Sequence, residues 1–182
     1  MIGVRREPPD GESAQQRLRV HLAIIDRGVA PVVARYRDHI ECRPGCSECC
    51  HQSFRVSELE GEMLRAGLAA AAPDVQREIS ARAAAYESGR GEACPALAGD
   101  GTCQVYEHRP RICRKYGIPL WHPDRPEELS TCRLNFRGVE DLEAALIVEP
   151  QAGWAEDWIA LREQLGLGPQ DNRSIAGWLR EE

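Results

Sequence analysis

Four thiols lie within nine residues in the stretch Cys42-Arg43-Pro44-Gly45-Cys46-Ser47-Glu48-Cys49-Cys50. Thiolates are soft ligands, and short cysteine spacings let one turn of chain place several sulfurs around one centre. This favours zinc or an iron–sulfur cluster over calcium or magnesium. Four more cysteines follow and can complete such a site: Cys94, Cys103, Cys113 and Cys132. We therefore predict a fold organised around a metal centre, with all eight cysteines as candidate ligands.

The chain is large enough to fold without disulfides. Its 182 residues are 42% hydrophobic, which suffices for one buried core, with or without a helical appendage. The sequence shows no apolar run typical of a signal peptide and no window near the roughly 18–20 apolar residues of a membrane span. We expect a cytoplasmic protein without a membrane partner. In a reducing cytosol, its cysteines should be metal ligands or redox thiols rather than disulfides.

The charge pattern argues against a nucleic-acid partner. The net charge is −6, the sequence pI is about 5.5, and no long run of lysine or arginine is present. Such a chain offers no broad positive surface to neutralise phosphates.

Hydrophobic periodicity predicts a mainly α fold, in which a small helical domain wraps around an irregular, cysteine-rich metal-binding segment. Apolar residues at steps of three and four indicate an amphipathic helix over residues 15–39. Gly28 and Pro31 are expected to kink this helix or split it in two. Ser57-Glu58-Leu59-Glu60 has the form of a capping box, so a helix should begin there, and another should open at Pro73.

The segment 94–132 differs in kind from these helices. Glycine, proline, cysteine and single aromatics dominate it, so we expect loops, short turns and a two-stranded fragment. Helices return beyond it: one apolar stripe begins at Val139, a second carries Trp154 and Trp158, and a short last turn holds Trp178. We interpret these tryptophans as core residues.

The patterns divide the chain into three parts. Residues 1–13 are polar and are predicted to be disordered. Residues 14–135 form the predicted cysteine-cluster metal-binding domain, with its core at 42–135, and residues 136–182 form a helical extension packed on it. Because the irregular segment has little regular packing of its own, metal–ligand bonds are expected to hold it in place.

The first cysteines have the spacing of a ligand turn. Cys42-x3-Cys46-x2-Cys49 fits one turn around a centre, and Gly45 supplies a permissive backbone. Neighbouring side chains usually diverge, so Cys49 and Cys50 are not expected to serve one centre in the same way. The predicted cluster ligands are Cys42, Cys46, Cys49 and Cys113. Three histidines are further candidates, although a surface or outer position is favoured for each: His51, His108 and His122.

Basic residues surround Cys113 in the sequence: Arg109, Arg111, Arg114 and Lys115. They are expected to offset the negative charge of a four-thiolate centre and to lower the pKa of nearby thiols. The alternative is a solvated basic turn. Arg109-Pro110 should start a tight turn that aims Cys113 inward, and Tyr106 and Tyr116 are expected to pack over the site.

Two familiar classes of cysteine site fit this pattern less well. The Cys-x3-Cys-x2-Cys spacing resembles the cluster loop of radical S-adenosylmethionine enzymes. However, a helical pattern precedes it here, no βαβ alternation is visible, and Glu48 stands where that loop usually has an aromatic. A zinc finger needs a closely spaced histidine pair after the cysteines, and the sequence has none at that spacing.

The downstream cysteines form the more distinctive pattern. They stand in Cys94-Pro-Ala-Leu97, Gly101-Thr-Cys103-Gln-Val-Tyr106-Glu-His-Arg109-Pro110, Cys113-Arg114 and Cys132-Arg133. With the Cys42–Cys50 stretch, these blocks resemble the YkgJ-type cysteine-cluster family (CxxCxxCC), described as a zinc- or iron-chelating domain, over roughly residues 42–135. The resemblance implies a metal- or cluster-binding domain with the eight cysteines as its ligands.

The resemblance also implies iron–sulfur binding, because a related flagellin lysine methylase looks like an iron–sulfur protein. Methylase activity is not carried over, since no additional S-adenosylmethionine-binding segment is visible in this sequence.

Three functions remain open at this point. The first is a protein that binds an iron–sulfur cluster of the [4Fe–4S] type in a structural or electron-transfer role, with a redox or protein partner. The second is a zinc-binding structural or interaction module with two four-cysteine sites. The third is a cluster-dependent redox or protein-modifying enzyme. No catalytic residues are assigned, because no Ser-His-Asp arrangement, Walker loop or dinucleotide fingerprint is present.

Overall fold

The computed structural model of the protein describes residues 13–87, 90 and 92–180. Apart from Ser13, the predicted disordered N-terminus lies outside these described residues. The prediction of a mainly α fold is confirmed. The helices are α1 (Ala14–Arg35), α2 (Glu58–Ala70), α3 (Pro73–Ala85), α4 (Arg111–Lys115), α5 (Ala144–Gln164) and α6 (Ile175–Leu179).

Short strands form two antiparallel pairs. They are β1 (Arg55–Val56), β2 (Leu120–His122), β3 (Arg125–Ser130) and β4 (Arg173–Ser174). β1 pairs with β4, placing Arg55 opposite Ser174. β2 pairs with β3, placing Leu120 opposite Ser130, and the register shifts between Trp121 and His122. The two-stranded fragment expected within the irregular segment is thus present as β2–β3.

The chain divides into two compact units. Unit 1 comprises the residues through Cys42 together with Arg114–Gly168, and unit 2 comprises Arg43–Cys113 together with the residues from Pro169 onward. The predicted boundaries at 14–135 and 136–182 stay a prediction. Among the described residues, no helix combines the length and apolar character needed to cross a membrane.

Unit 1 is built on the packing of α1 against α5. Ser13 caps α1 by accepting a hydrogen bond from the Gln16 amide at 3.2 Å. The helix is continuous through Gly28 and Pro31, so it is not split at these residues, and the alternative expectation of a kink stays a prediction. A β-carbon on Gly28 would lie 2.3 Å from the Trp154 ring. Gly28 therefore lets a large ring of α5 approach the backbone of α1.

The second half of unit 1 follows the predicted apolar stripes in part. Trp154 and Trp158 are buried on α5, as predicted. Val139 and Leu142 precede the helix, which begins at Ala144, but both pack against the core of this unit. Gln151 is 1% exposed. Its side chain donates to the Pro119 carbonyl at 2.8 Å and accepts from the Trp121 amide at 3.2 Å, which ties β2 to α5.

Unit 2 packs α2, α3 and α6 around a shared core. The capping box predicted at Ser57 and Glu60 is confirmed, and α3 begins at Pro73 as expected. Trp178 of α6 lies against Gly61, where a β-carbon would come within 2.2 Å of the indole ring. The same indole donates to the Val56 carbonyl at 3.2 Å. Cys94, Cys103 and Cys113 pack at the edge of this core.

Candidate metal centre

The first cysteine loop of unit 2 depends on two glycines with left-handed backbone conformations. Gly45 has φ of +87° and Gly101 has φ of +82°, a region that residues with a β-carbon seldom adopt. The Cys46 amide donates to the Arg43 carbonyl at 2.9 Å and closes the turn. A β-carbon on Gly101 would lie 2.6 Å from the Gly45 carbonyl oxygen, so the two turns meet backbone to backbone.

Cys49 and Cys50 lie on a 3₁₀ turn over Glu48–His51, and their thiols are hydrogen-bonded to each other. The two side chains therefore meet instead of diverging, and the expectation that they do not serve one centre in the same way stays a prediction. This hydrogen bond lowers the pKa of Cys49 to about 7. The same bond, together with burial, raises the pKa of Cys50 far above its usual range. One thiolate is thus favoured on Cys49.

A small hairpin carries the next two thiols. Its base is tied to the first loop, since the Cys94 amide donates to the Cys50 carbonyl at 2.7 Å. Leu97 and Cys103 form a β-bridge, and the Gln104 amide donates to the Ala96 carbonyl at 2.8 Å. These contacts fix Cys94 and Cys103 on one rigid element.

Each hairpin thiol receives a hydrogen bond from the amide two residues further on. The Ala96 amide donates to Cys94, and the Val105 amide donates to Cys103. Burial nevertheless raises the pKa of Cys94 to about 11, against the effect of the Ala96 amide. Burial likewise raises the pKa of Cys103, against the Val105 amide. The backbone amides donate to both sulfurs, yet these half-buried thiols need further positive charge nearby to ionise.

Cys113 lies on α4, close enough to Cys49, Cys94 and Cys103 for their charges to act on it. Burial raises the pKa of Cys113 well above its usual value, and the charges of Cys49, Cys94 and Cys103 act in the same direction. The positive charge of Arg109 opposes this at Cys49, Cys103 and Cys113. Arg109 is held by a hydrogen bond to the Tyr106 carbonyl at 3.0 Å, and its guanidinium lies 3.4 Å from the centre of the Tyr106 ring.

Cys49, Cys94, Cys103 and Cys113 are all electrostatic neighbours of one another. Cys50 interacts with the first three of them. These five residues are called the thiol group below. Several thiolates cannot form together in such a place without a compensating cation, and a bound metal ion reverses the balance by holding its thiol ligands deprotonated. The donor chemistry therefore fits a thiophilic metal.

The remaining cysteines have other surroundings. Cys46 lies on the turn of unit 2 that follows Arg43. Cys42 belongs to unit 1 and is exposed, and its sulfur accepts a hydrogen bond from Asn135 at 3.3 Å. Cys132, also in unit 1, is 5% exposed. All eight cysteines are among the described residues, and none of them forms a disulfide.

Asn135 organises the surroundings of Cys42 within unit 1. Besides its bond to Cys42, its side chain donates to the Gly117 carbonyl at 2.7 Å and accepts from the Glu41 amide at 2.9 Å. A β-carbon on Gly117 would lie 2.9 Å from the Cys42 sulfur. The sequence offered no signal for this role, because Asn135 contacts segments far from it along the chain.

Other predicted neighbours of the site take different positions. His51 and His122 are exposed, and the ring of His108 lies against Gly67 of α2. Tyr106 is 55% exposed and its ring lies against the Arg109 guanidinium, and its packing over the site stays a prediction. The Arg114 guanidinium pairs with Asp26 at 2.5 Å within unit 1. Of the predicted cations, Arg109 is the one whose charge acts on three of the thiols.

No set of three or more His, Cys, Asp or Glu side chains within the described ranges is arranged so that it could hold a metal ion. The thiol group is thus defined by neighbouring sulfurs and by their donor type, and the identity of the ligands stays a prediction.

A helical chain with such a group of half-buried thiols belongs to the class of metal-binding cysteine proteins. The family CxxCxxCC, whose description is "Putative zinc- or iron-chelating domain", matches residues 41–133, about half of the 182 residues. The protein is a member of this family, as its cysteine blocks predicted. No curated protein and no solved structure matches the chain.

Proposed function

We propose that the protein holds one iron–sulfur cluster of the [4Fe–4S] type at the thiol group, in a structural or electron-transfer role in the cytoplasm. The observation that carries this proposal is the mutual neighbourhood of Cys49, Cys94, Cys103 and Cys113. Four thiolates are the number that such a cluster takes from a protein. We assign these four as its ligands, and cluster binding must draw their sulfurs together, because no three such side chains in the described ranges are already arranged to hold a metal ion.

Of the four ligands predicted from the sequence, this assignment retains Cys49 and Cys113. Cys94 and Cys103 replace the other two, Cys42 and Cys46. Cys42 lies in unit 1, in hydrogen-bonding contact with Asn135. Cys94 and Cys103 take the two places because their hairpin joins the Cys49–Cys50 turn through the hydrogen bond from Cys94 to Cys50. Cys50 is then a protonated thiol beside the ligand Cys49.

The grouping of thiols favours one centre over two four-cysteine zinc sites. Zinc in a structural site takes four ligands, so two such sites require the eight cysteines to divide evenly. Here five of them form one group in unit 2. The zinc-binding module with two four-cysteine sites is the alternative that the metal analysis must exclude.

The chain's own residues would stabilise a negatively charged thiolate centre in two ways. Arg109 supplies positive charge beside three of the ligands. The Ala96 and Val105 amides donate to the sulfurs of Cys94 and Cys103, and hydrogen bonds to ligand sulfur are among the features that set the reduction potential of a cluster. A bound cluster would supply one-electron redox chemistry, or simply a covalent crosslink between the turn, the hairpin and α4.

The test is anaerobic purification followed by measurement of iron, acid-labile sulfide and zinc per chain, together with the visible spectrum. Near four irons and four sulfides per chain, in a brown protein absorbing at about 400 nm, supports the proposal. A colourless protein with two zinc ions refutes it and favours the structural module.

Single Cys→Ser variants then test the ligands. Variants at Cys94, Cys103 and Cys113 should lose most of the metal, whereas Cys42→Ser should keep it. If Cys42→Ser loses as much metal as Cys113→Ser, the ligand assignment is wrong. A cluster that survives the loss of one assigned thiol would point to an incompletely ligated iron, and so to the cluster-dependent enzyme.

A further inference from the structure

We propose that Glu60 is a positioning residue of the metal centre, because its carboxylate fixes the start of the helix that carries Cys113. The inference rests on the function proposed above for the thiol group. Glu60 is 4% exposed, which is unusual for a carboxylate unless it is fully hydrogen-bonded. Its two oxygens serve two different elements of unit 2.

One oxygen completes the capping box of α2. Oε2 accepts from the Ser57 amide at 3.2 Å and from the Ser57 hydroxyl at 3.0 Å. This is the ordinary role of a glutamate at the third position of a helix. It leaves the second oxygen available to another partner.

The second oxygen, Oε1, accepts from the Arg111 amide at 3.0 Å. Arg111 is the first residue of α4, and the first amides of a helix have no acceptor within it. The residue before a helix usually caps an amide of its first turn with a side-chain oxygen, but here that residue is Pro110, whose ring has no acceptor. Glu60 therefore caps α4 from another helix.

This contact is transmitted to the thiol group through a short path. Cys113 follows Arg111 by two residues on α4, so fixing the Arg111 amide fixes the turn that aims the Cys113 sulfur. A second contact holds the same segment, since the His108 ring lies against Gly67, where a β-carbon would be 2.6 Å away. α2 thus positions residues 106–113 through two contacts, one from Glu60 to the Arg111 amide and one from Gly67 to the His108 ring.

The test compares Glu60→Gln with Ser57→Ala in the full chain. Glutamine keeps the size of the side chain but replaces one acceptor oxygen with an NH₂ donor, which must then face an amide donor at Ser57 or at Arg111. Ser57→Ala removes the hydroxyl of the capping box and leaves the Arg111 contact intact. Any effect through α2 alone appears in both variants, whereas an effect through α4 appears only in Glu60→Gln.

We expect metal affinity to fall by about 10–100-fold in Glu60→Gln, as is typical when the support of a ligand is removed. The rate of metal release to a chelator should rise accordingly, and the visible spectrum or reduction potential should shift, while Ser57→Ala stays close to the unsubstituted protein. Because the glutamine can keep its oxygen toward the Arg111 amide, Arg111→Pro is measured alongside it, and the proposal is overturned if both variants behave like Ser57→Ala. If Glu60→Gln does not fold, Arg111→Pro removes the same hydrogen bond from its donor side, and proline is tolerated at the first position of a helix.

A measurement on the metal-free protein separates this inference from the proposed function. Cleavage after glutamate yields the peptide His108–Glu127, in which Cys113 is the only cysteine. Cys113 is alkylated for a short time in the folded, metal-free protein, and its modification is then read from that peptide after cleavage. The modification should be faster in Glu60→Gln than in Ser57→Ala, because the turn that shields Cys113 is released. If the protein binds no iron but this difference is found, the iron–sulfur proposal fails and the role of Glu60 stands. An unchanged alkylation rate refutes the role of Glu60 whatever the metal is.

Discussion

Replacement of Gly101 by alanine should destabilise unit 2 strongly, because the added β-carbon causes both backbone strain and a steric overlap. The backbone at Gly101 has φ of +82°, a left-handed conformation that costs a residue with a β-carbon roughly 1–2 kcal/mol. The added β-carbon would also lie 2.6 Å from the Gly45 carbonyl oxygen and 3.1 Å from its α-carbon. Both are backbone atoms that cannot rotate away, so relieving this overlap should cost about 1–3 kcal/mol more.

The expected loss is therefore about 2–5 kcal/mol in the free energy of unfolding. It should be measured by urea denaturation of the full chain, with metal content determined on the same samples. Gly99→Ala is a matched control two residues away, because a β-carbon there meets no atom within 4 Å, and it should change the stability by less than about 0.5 kcal/mol. If Gly101→Ala is as stable as Gly99→Ala, the backbones of Gly45 and Gly101 do not approach each other as closely as described.

Three further predictions concern the thiols and their supports. In metal-free protein, alkylation of Cys49 should accelerate as the pH rises through about 7, because the pKa of Cys49 is about 7 and the thiolate predominates above it. The variant Cys50→Ala removes the hydrogen bond to Cys49 and should move this transition to higher pH. An unchanged pH profile would contradict this hydrogen bond as the cause of the lowered pKa. Asn135→Ala should lower the free energy of unfolding by roughly 1–3 kcal/mol, because the Glu41 amide and the Gly117 carbonyl both lose a hydrogen-bond partner. Thermal unfolding measures this loss. Removal of the metal by a chelator should lower the unfolding temperature, because binding and folding are coupled, and equal temperatures with and without metal would exclude a structural role for the centre.

The helices of this fold were accessible from local sequence patterns. The capping box at Ser57, the proline that opens α3 and the tryptophan stripe of α5 each depend on residues a few positions apart. Gly28 shows where such reasoning fails. A glycine within a helix indicates a weak point by propensity, but here its purpose is the approach of Trp154, a ring far away along the chain.

The candidate site was predictable in its chemistry and less so in its grouping. The cysteine spacing indicated a soft metal and the family, and the family is confirmed. Spacing could not reveal that the turn over Glu48–His51 directs Cys49 and Cys50 to the same side. It also could not reveal the second acceptor role of Glu60, since the capping-box pattern accounts for only one of its oxygens. Both depend on tertiary contacts that no local pattern records.

The pairing of β1 with β4 has a consequence for how the protein is made. β4 and α6 follow the last cysteine in the chain, yet they supply the partner of Arg55–Val56 and the indole that lies against Gly61. During synthesis, all eight cysteines leave the ribosome before unit 2 has its closing strand. The nascent chain therefore passes through a stage in which reactive thiols are exposed without their final packing, and stable loading with metal should wait until residues 173–179 have emerged.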